Sequence, residues 1–172
     1  MNAEQEHFLR EELLTLSING ALGRVDIYSE SAQKEEDRID FRRDLRSELK
    51  KMVAEYTTEV PEQIHLSNIQ SLANRITLKH RGSLKNGRFK IGRAQKALNL
   101  YLKYLWCLGF ITLPPHCPFD SKIINKLPEC SDLKWTSIDA IDAYVRLVEA
   151  ARKRAALKSL SLSEWELQAW ND

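Results

Sequence analysis

The chain has 172 residues, 43% of them hydrophobic and 29% charged, an ordinary make-up for a globular protein with one core. Six Gly and five Pro are too few for a long disordered linker or a turn-rich all-β fold, and no run approaches the roughly 18 apolar residues of a membrane span. The net charge of +2 conceals an asymmetry: residues 1–62 carry nine basic and fifteen acidic side chains, residues 63–119 nine basic and none acidic, and residues 120–172 eight basic and nine acidic.

The start, Met1-Asn2-Ala3-Glu4-Gln5-Glu6, is acidic and polar and lacks the positive flank and apolar run of a signal peptide, so a cytoplasmic protein is expected. The predicted organisation is one all-α domain over 1–172, with an acidic helical part (1–62), a basic core (63–127) and C-terminal helices (128–172). Cys107, Cys117 and Cys130 are odd in number and spaced unlike a zinc or iron–sulfur site, which predicts reduced thiols.

Phe8, Leu13, Leu14, Leu16 and Ile18 among Glu and Arg predict a helix over 3–18 that Asn19-Gly20 should stop. Residues 21–31 alternate like a strand at Val25-Asp26-Ile27-Tyr28, but without a partner strand they read as a short helix or an ordered loop. Ile39, Phe41, Leu45, Leu49, Met52 and Val53 predict a long amphipathic helix over 32–56, with Arg42, Arg43, Arg46, Lys50 and Lys51 facing water. Pro61-Glu62 suits the first turn of a helix over 62–79. The segment His80-Arg81-Gly82-Ser83-Leu84-Lys85-Asn86-Gly87-Arg88 then reads as a basic loop, able through its glycines to approach a phosphate backbone closely.

Residues 92–109 predict a helix that is apolar nearly all round and therefore central, with Lys96, Asn99 and Lys103 along one stripe. Pro114-Pro115 turns the chain, and Asp120 or Ser121 should cap a helix over 122–127. Thr136-Ser137 is placed to cap a helix running through Ala156, and Ser161 or Ser163 a final helix whose Trp165 and Trp170 clamp the C-terminus.

An acid-free tract of this length is the electrostatic footprint of a polyanion-binding surface, here read as DNA-facing. Its candidate contacts are Lys79, Arg81, Lys85, Arg88, Lys90, Arg93, Gln95 and Lys103. A lysine on a buried helix among other cations is a candidate nucleophile, because burial and like charge favour the neutral amine. Lys96 is that candidate, and Asp120 could orient it if the turn at 114–118 folds back. Each has a plainer role available, Lys96 reaching to water along its stem and Asp120 serving as a cap alone. His116-Cys117 has no second ligand pair at metal-binding spacing, so neither a metal nor another cofactor is expected.

The sequence Gly92-Arg93-Ala94-Gln95-Lys96-Ala97-Leu98-Asn99, followed by Cys117-Pro118-Phe119-Asp120-Ser121-Lys122-Ile123, resembles the catalytic core of the helix-hairpin-helix DNA glycosylases. Within that superfamily it is similar to the compact archaeal 8-oxoguanine glycosylases, where a Gln-Lys pair also opens the helix. The resemblance covers about residues 88–126 and departs from the usual Leu-Pro-Gly-x-Gly hairpin, of which Gly92 remains. It implies a compact helical bundle, Lys96 as Schiff-base lysine and Asp120 as catalytic aspartate. A damaged or modified base would be flipped from the duplex and excised, with strand cleavage by β-elimination. Asn99, His116 and Phe119 become candidates to line the base pocket, Asn99 also fitting a hydrogen-bonding role in the core. Two other readings stand beside it: a DNA-binding or accessory protein of a repair or phage-related system without catalysis, and a helical adaptor that binds a protein partner through residues 1–62.

Overall fold

The computed structural model describes residues 1–23, 27–29 and 35–172. Among the described residues seven α-helices carry the fold: α1 (Ala3–Leu22), α2 (Glu35–Val53), α3 (Glu62–His80), α4 (Ile91–Cys107), α5 (Ser121–Ile124), α6 (Ile141–Ala156) and α7 (Leu162–Asn171). Four short 3-10 turns join them, and among the described residues the only β pairing is an isolated antiparallel bridge between Tyr28 and Leu84. The architecture is all-helical, as the apolar periodicities predict. No helix among the described residues is long and apolar enough to cross a membrane.

α4 is the axis, packing against α1, α2, α3 and α6, while α7 lies against α5 and α6. Twelve of its seventeen residues are buried, from Ile91 to Leu105. That follows from a helix with apolar side chains on every face, which is stable only when surrounded. α1 contributes Leu14, Ile18, Ala21 and Leu22 to this core, while Phe8 and Leu16 stay exposed.

Several boundaries differ from the sequence expectation. Asn19-Gly20 does not end α1, which continues to Leu22. Gly20 serves the packing instead: a Cβ there would stand 2.8 Å from Leu100 Cδ2 on α4, so the missing side chain lets the two helices close together. Thr136-Ser137 caps no helix. These residues form a 3-10 turn (Trp135–Ser137), and α6 begins only at Ile141. The strand-like Val25-Asp26 and the first three residues of the helix predicted over 32–56 lie outside the described residues, while Ile27–Ser29 run beside Ser83–Lys85.

The acidic N-terminal part is folded onto the basic middle. Asp44 and Glu48 of α2 meet Lys79, His80 and Arg75 of α3, with Lys79 3.9 Å from Asp44 and 3.5 Å from Glu48. Burial opposes the Glu48 carboxylate, but the Arg75 hydrogen bond and the surrounding cations outweigh it and hold its pKa below the usual value. The tract that is free of acid in sequence is therefore not free of acid in space.

Candidate active site

The first turn of α4 is pressed against the 3-10 turn Trp135–Ser137. Gly92 N–H donates to the Ile138 carbonyl at 2.9 Å, and a Cβ at Gly92 would fall 1.7 Å from the Trp135 carbonyl oxygen. Only glycine permits this approach. It brings the Trp135 ring over the next turn of α4, 4.5 Å from Lys96 Nζ. Arg93 is buried and donates to the Ala21 carbonyl at 3.0 Å, closing the end of α1; burial depresses its pKa.

Two consecutive residues of α4 meet two consecutive residues of the returning chain. Gln95, wholly buried, accepts from Phe119 N–H (3.1 Å) and donates to the Phe119 carbonyl (2.7 Å). Lys96 Nζ lies 3.1 Å from Asp120 Oδ2, and each of these side chains is only 12% exposed. The other Asp120 oxygen accepts from Ile123 N–H at 3.2 Å as the N-cap of α5. Asp120 thus does both of the things open to it: it caps a helix and faces the lysine.

One turn further, Asn99 Nδ2 donates to the Cys117 carbonyl (2.9 Å) and to Tyr144 Oη (3.0 Å). With its oxygen so engaged, Tyr144 gives its own proton to His116 Nδ1 (2.8 Å), and His116 Nε2 donates to Glu62 (3.1 Å), which also receives Arg152 (2.8 Å). His65 stacks edge-on against His116 at 4.7 Å and accepts from Tyr56 Oη at 2.7 Å. Burial lowers the pKa of both histidines, that of His65 to about 3.

Lys96 borders a cavity of about 400 Å3 between α1, α4 and α7. Lys103, Tyr104, Pro118, Glu166 and Trp170 also line it. Lys103 and Glu166 form an ion pair at 2.7 Å with 10% and 1% side-chain exposure. Burial raises the Glu166 pKa although the Lys103 hydrogen bond and charge pull it down. The Trp170 ring lies 5.3 Å from Lys103 Nζ and is partly open to solvent.

The candidate DNA contacts divide sharply. Arg81 and Lys85 are exposed and Lys90 half-buried, and none has an ion-pair partner among the described residues. Lys85, Arg88, Lys90 and Arg93 line a second cavity of about 240 Å3 with Thr136 and Ser137. Arg88 is held by Asp139 at 2.9 Å and by Asn74. Lys79 is held by α2, Arg93 and Gln95 are turned inward to backbone, and Lys103 is closed by Glu166.

Asn99, His116 and Phe119 are each 0% exposed and line neither cavity, because their polar groups or rings are spent on Tyr144 and the connection 114–120. Instead, the cavity beside Lys96 is lined by Glu166 and Trp170 of α7. The sequence reading missed Glu166, whose only signal was a carboxylate on the buried face of α7, and Trp135, which had no local signal at all. All three cysteines are free thiols, and among the described residues no group of three or more His, Cys, Asp or Glu is arranged to hold a metal.

Family models, curated proteins and solved structures offer no match to this chain.

Proposed function

We propose that the chain is a DNA-repair glycosylase with AP-lyase activity, Lys96 acting as nucleophile and Asp120 as its carboxylate partner. The observation that carries this reading is the 3.1 Å contact between Lys96 Nζ and Asp120 Oδ2, two dozen residues apart, beside a cavity of ligand size. The amine loses its ammonium proton to water before attack. Asp120, kept as a carboxylate, stabilises positive charge on the sugar as the glycosidic bond breaks, then relays the proton shed by the bonded nitrogen to the leaving base. The amine nitrogen bonds to C1′ while the base leaves with the bonding pair and is protonated. Ring opening then gives an iminium between Lys96 and C1′. Loss of a C2′ proton expels the 3′-phosphate by β-elimination, and hydrolysis of the iminium frees the lysine.

The flipped base would enter the cavity of about 400 Å3, with Trp170 and Tyr104 as aromatic surfaces. The Lys103 ammonium beside the Glu166 carboxylate is complementary to a base edge that sets an acceptor next to an N–H, as O6 and N1–H of guanine do. Exposed Arg81 and Lys85, with half-buried Lys90, would meet the phosphate backbone.

A second reading, a DNA-binding protein without catalysis, is favoured by the completeness of the Lys96–Asp120–Ile123 arrangement as an ion pair plus helix cap. Borohydride trapping on duplexes carrying 8-oxoguanine, uracil or an abasic site separates the two. A covalent adduct with wild type that disappears in Lys96→Ala, with the circular dichroism unchanged, is the expected result. Salt-dependent duplex binding with no adduct on any of these substrates would leave only the second reading.

A further inference from the structure

We propose that Gln95 is the positioning residue for Asp120, acting through the backbone of Phe119, with Asn99 as a second anchor one turn along α4. The proposal rests on the glycosylase reading for its catalytic consequence, but its geometric content stands by itself. Asp120 ends a connection of irregular chain that runs from Leu108 across Pro114-Pro115, and no regular element holds that connection from within. Backbone bonds tie only its start, residues 108–110, to α4; at residues 117–120 the attachment to α4 comes from side chains. Gln95 pairs with both backbone groups of Phe119 as a neighbouring strand would, and its Nε2 also donates to the Gly92 carbonyl at 3.0 Å, which fixes the amide plane. Asn99 fixes the Cys117 carbonyl two residues upstream, and its Nδ2 lies 3.3 Å from Gln95 Oε1, so the two amides orient each other.

Both amides are wholly buried, where unpaired polar groups are costly, so this arrangement tolerates little slippage. The consequence is geometric. With residue 119 locked to residue 95, residue 120 is delivered to residue 96, and the separation of carboxylate and amine is set by Gln95 rather than by their mutual attraction alone. The N-cap bond to Ile123 sets the rotation of the carboxylate, and the amide of Gln95 sets where its backbone stands.

Two variants test this. Gln95→Leu keeps the bulk and removes every hydrogen bond. Gln95→Glu retains the acceptor for Phe119 N–H, and donates to the Phe119 carbonyl only when its carboxyl is protonated. Three quantities are read: the borohydride-trapping rate on an abasic duplex, the affinity for a duplex with a tetrahydrofuran abasic analogue, and acylation of Lys96 against Lys103, measured by mass spectrometry.

A displacement of about 1 Å at reacting groups lowers rates by roughly 100-fold, so Gln95→Leu should lose trapping by about that factor while the analogue duplex still binds. Labelling of Lys96 should rise with that of Lys103 unchanged. Gln95→Glu should regain trapping as pH falls, through an ionisation that wild type lacks. If Gln95→Leu does not fold, the pH profile and Lys96 labelling of Gln95→Glu decide. Trapping and Lys96 labelling both at wild-type level in a folded variant would overturn the positioning role. If wild type forms no adduct, the glycosylase reading fails and the labelling comparison alone decides whether Gln95 sets the position of Asp120.

Discussion

His65 should make the protein lose stability between pH 7 and pH 5, a range in which the carboxylates contribute little. The ring is 0% exposed, with Nδ1 occupied by Tyr56 and a second histidine 4.7 Å away, and its pKa is lowered from 6.5 to about 3, first by burial and then by the His116 charge. Because the folded value lies below the unfolded one, native and unfolded chains bind the same number of protons above about pH 7. As pH falls through 6.5 the unfolded chain takes up a proton that the native state refuses. Stability then falls by about 1.4 kcal/mol per pH unit until the folded pKa is reached, or about 2 kcal/mol by pH 5 for this one group. His116, also depressed, adds in the same direction, whereas Glu166, raised by burial, works against it. The measurement is urea denaturation at both pH values for wild type and His65→Gln, whose amide can accept from Tyr56 and donate toward Asn99. Taking the difference between the two proteins cancels the groups that are not coupled to His65. Wild type should lose about 2 kcal/mol more than the variant; parallel losses would refute the assignment of a neutral buried ring.

Other outcomes follow from particular contacts. Gly92→Ala places a methyl 1.7 Å from a backbone carbonyl oxygen, and should destabilise by about 3 kcal/mol or more in thermal or urea unfolding. Lys103→Met strands the Glu166 carboxylate in the core at a cost of about 3–5 kcal/mol, much of which should return in the double variant Lys103→Met/Glu166→Leu, read as the coupling term of a double-mutant cycle. Asp120→Asn keeps a good cap and should leave stability within about 1 kcal/mol of wild type while abolishing trapping. Asp120→Ala should lose about 1 kcal/mol further with the cap.

Much of this arrangement is legible along the chain, and what is not depends on distant partners. The central position of α4 follows from apolar residues on all its faces, and the cap at Asp120 from a local pattern. The register that sets Lys96 opposite Asp120 has no local trace, since it depends on Gln95 bonding to the backbone of residue 119, and polar side chains are ordinarily read as surface. The spacing of Lys96, Asn99 and Lys103 puts them on one stripe of the helix. That stripe faces three environments, because the partners Asp120, Tyr144 and Glu166 come from separate elements. The basic tract misleads for the same reason: Lys79 and Arg75 are neutralised by α2, which precedes them by more than two dozen residues.

The paired bonding of residues 95 and 96 to residues 119 and 120 divides the chain into stretches of unequal tolerance. Between Leu108 and Leu113 an inserted residue would disturb the local packing of Ile111 and the bonds of Thr112 to Tyr56 and Thr58, but would leave both moorings of the clasp in phase. The same insertion between Gly92 and Lys96, or between Cys117 and Asp120, would shift one side of this clasp against the other, so that the amine and the carboxylate would no longer stand opposite each other. Length variation in the first stretch is therefore compatible with this site, and a single added or missing residue in either of the others is not.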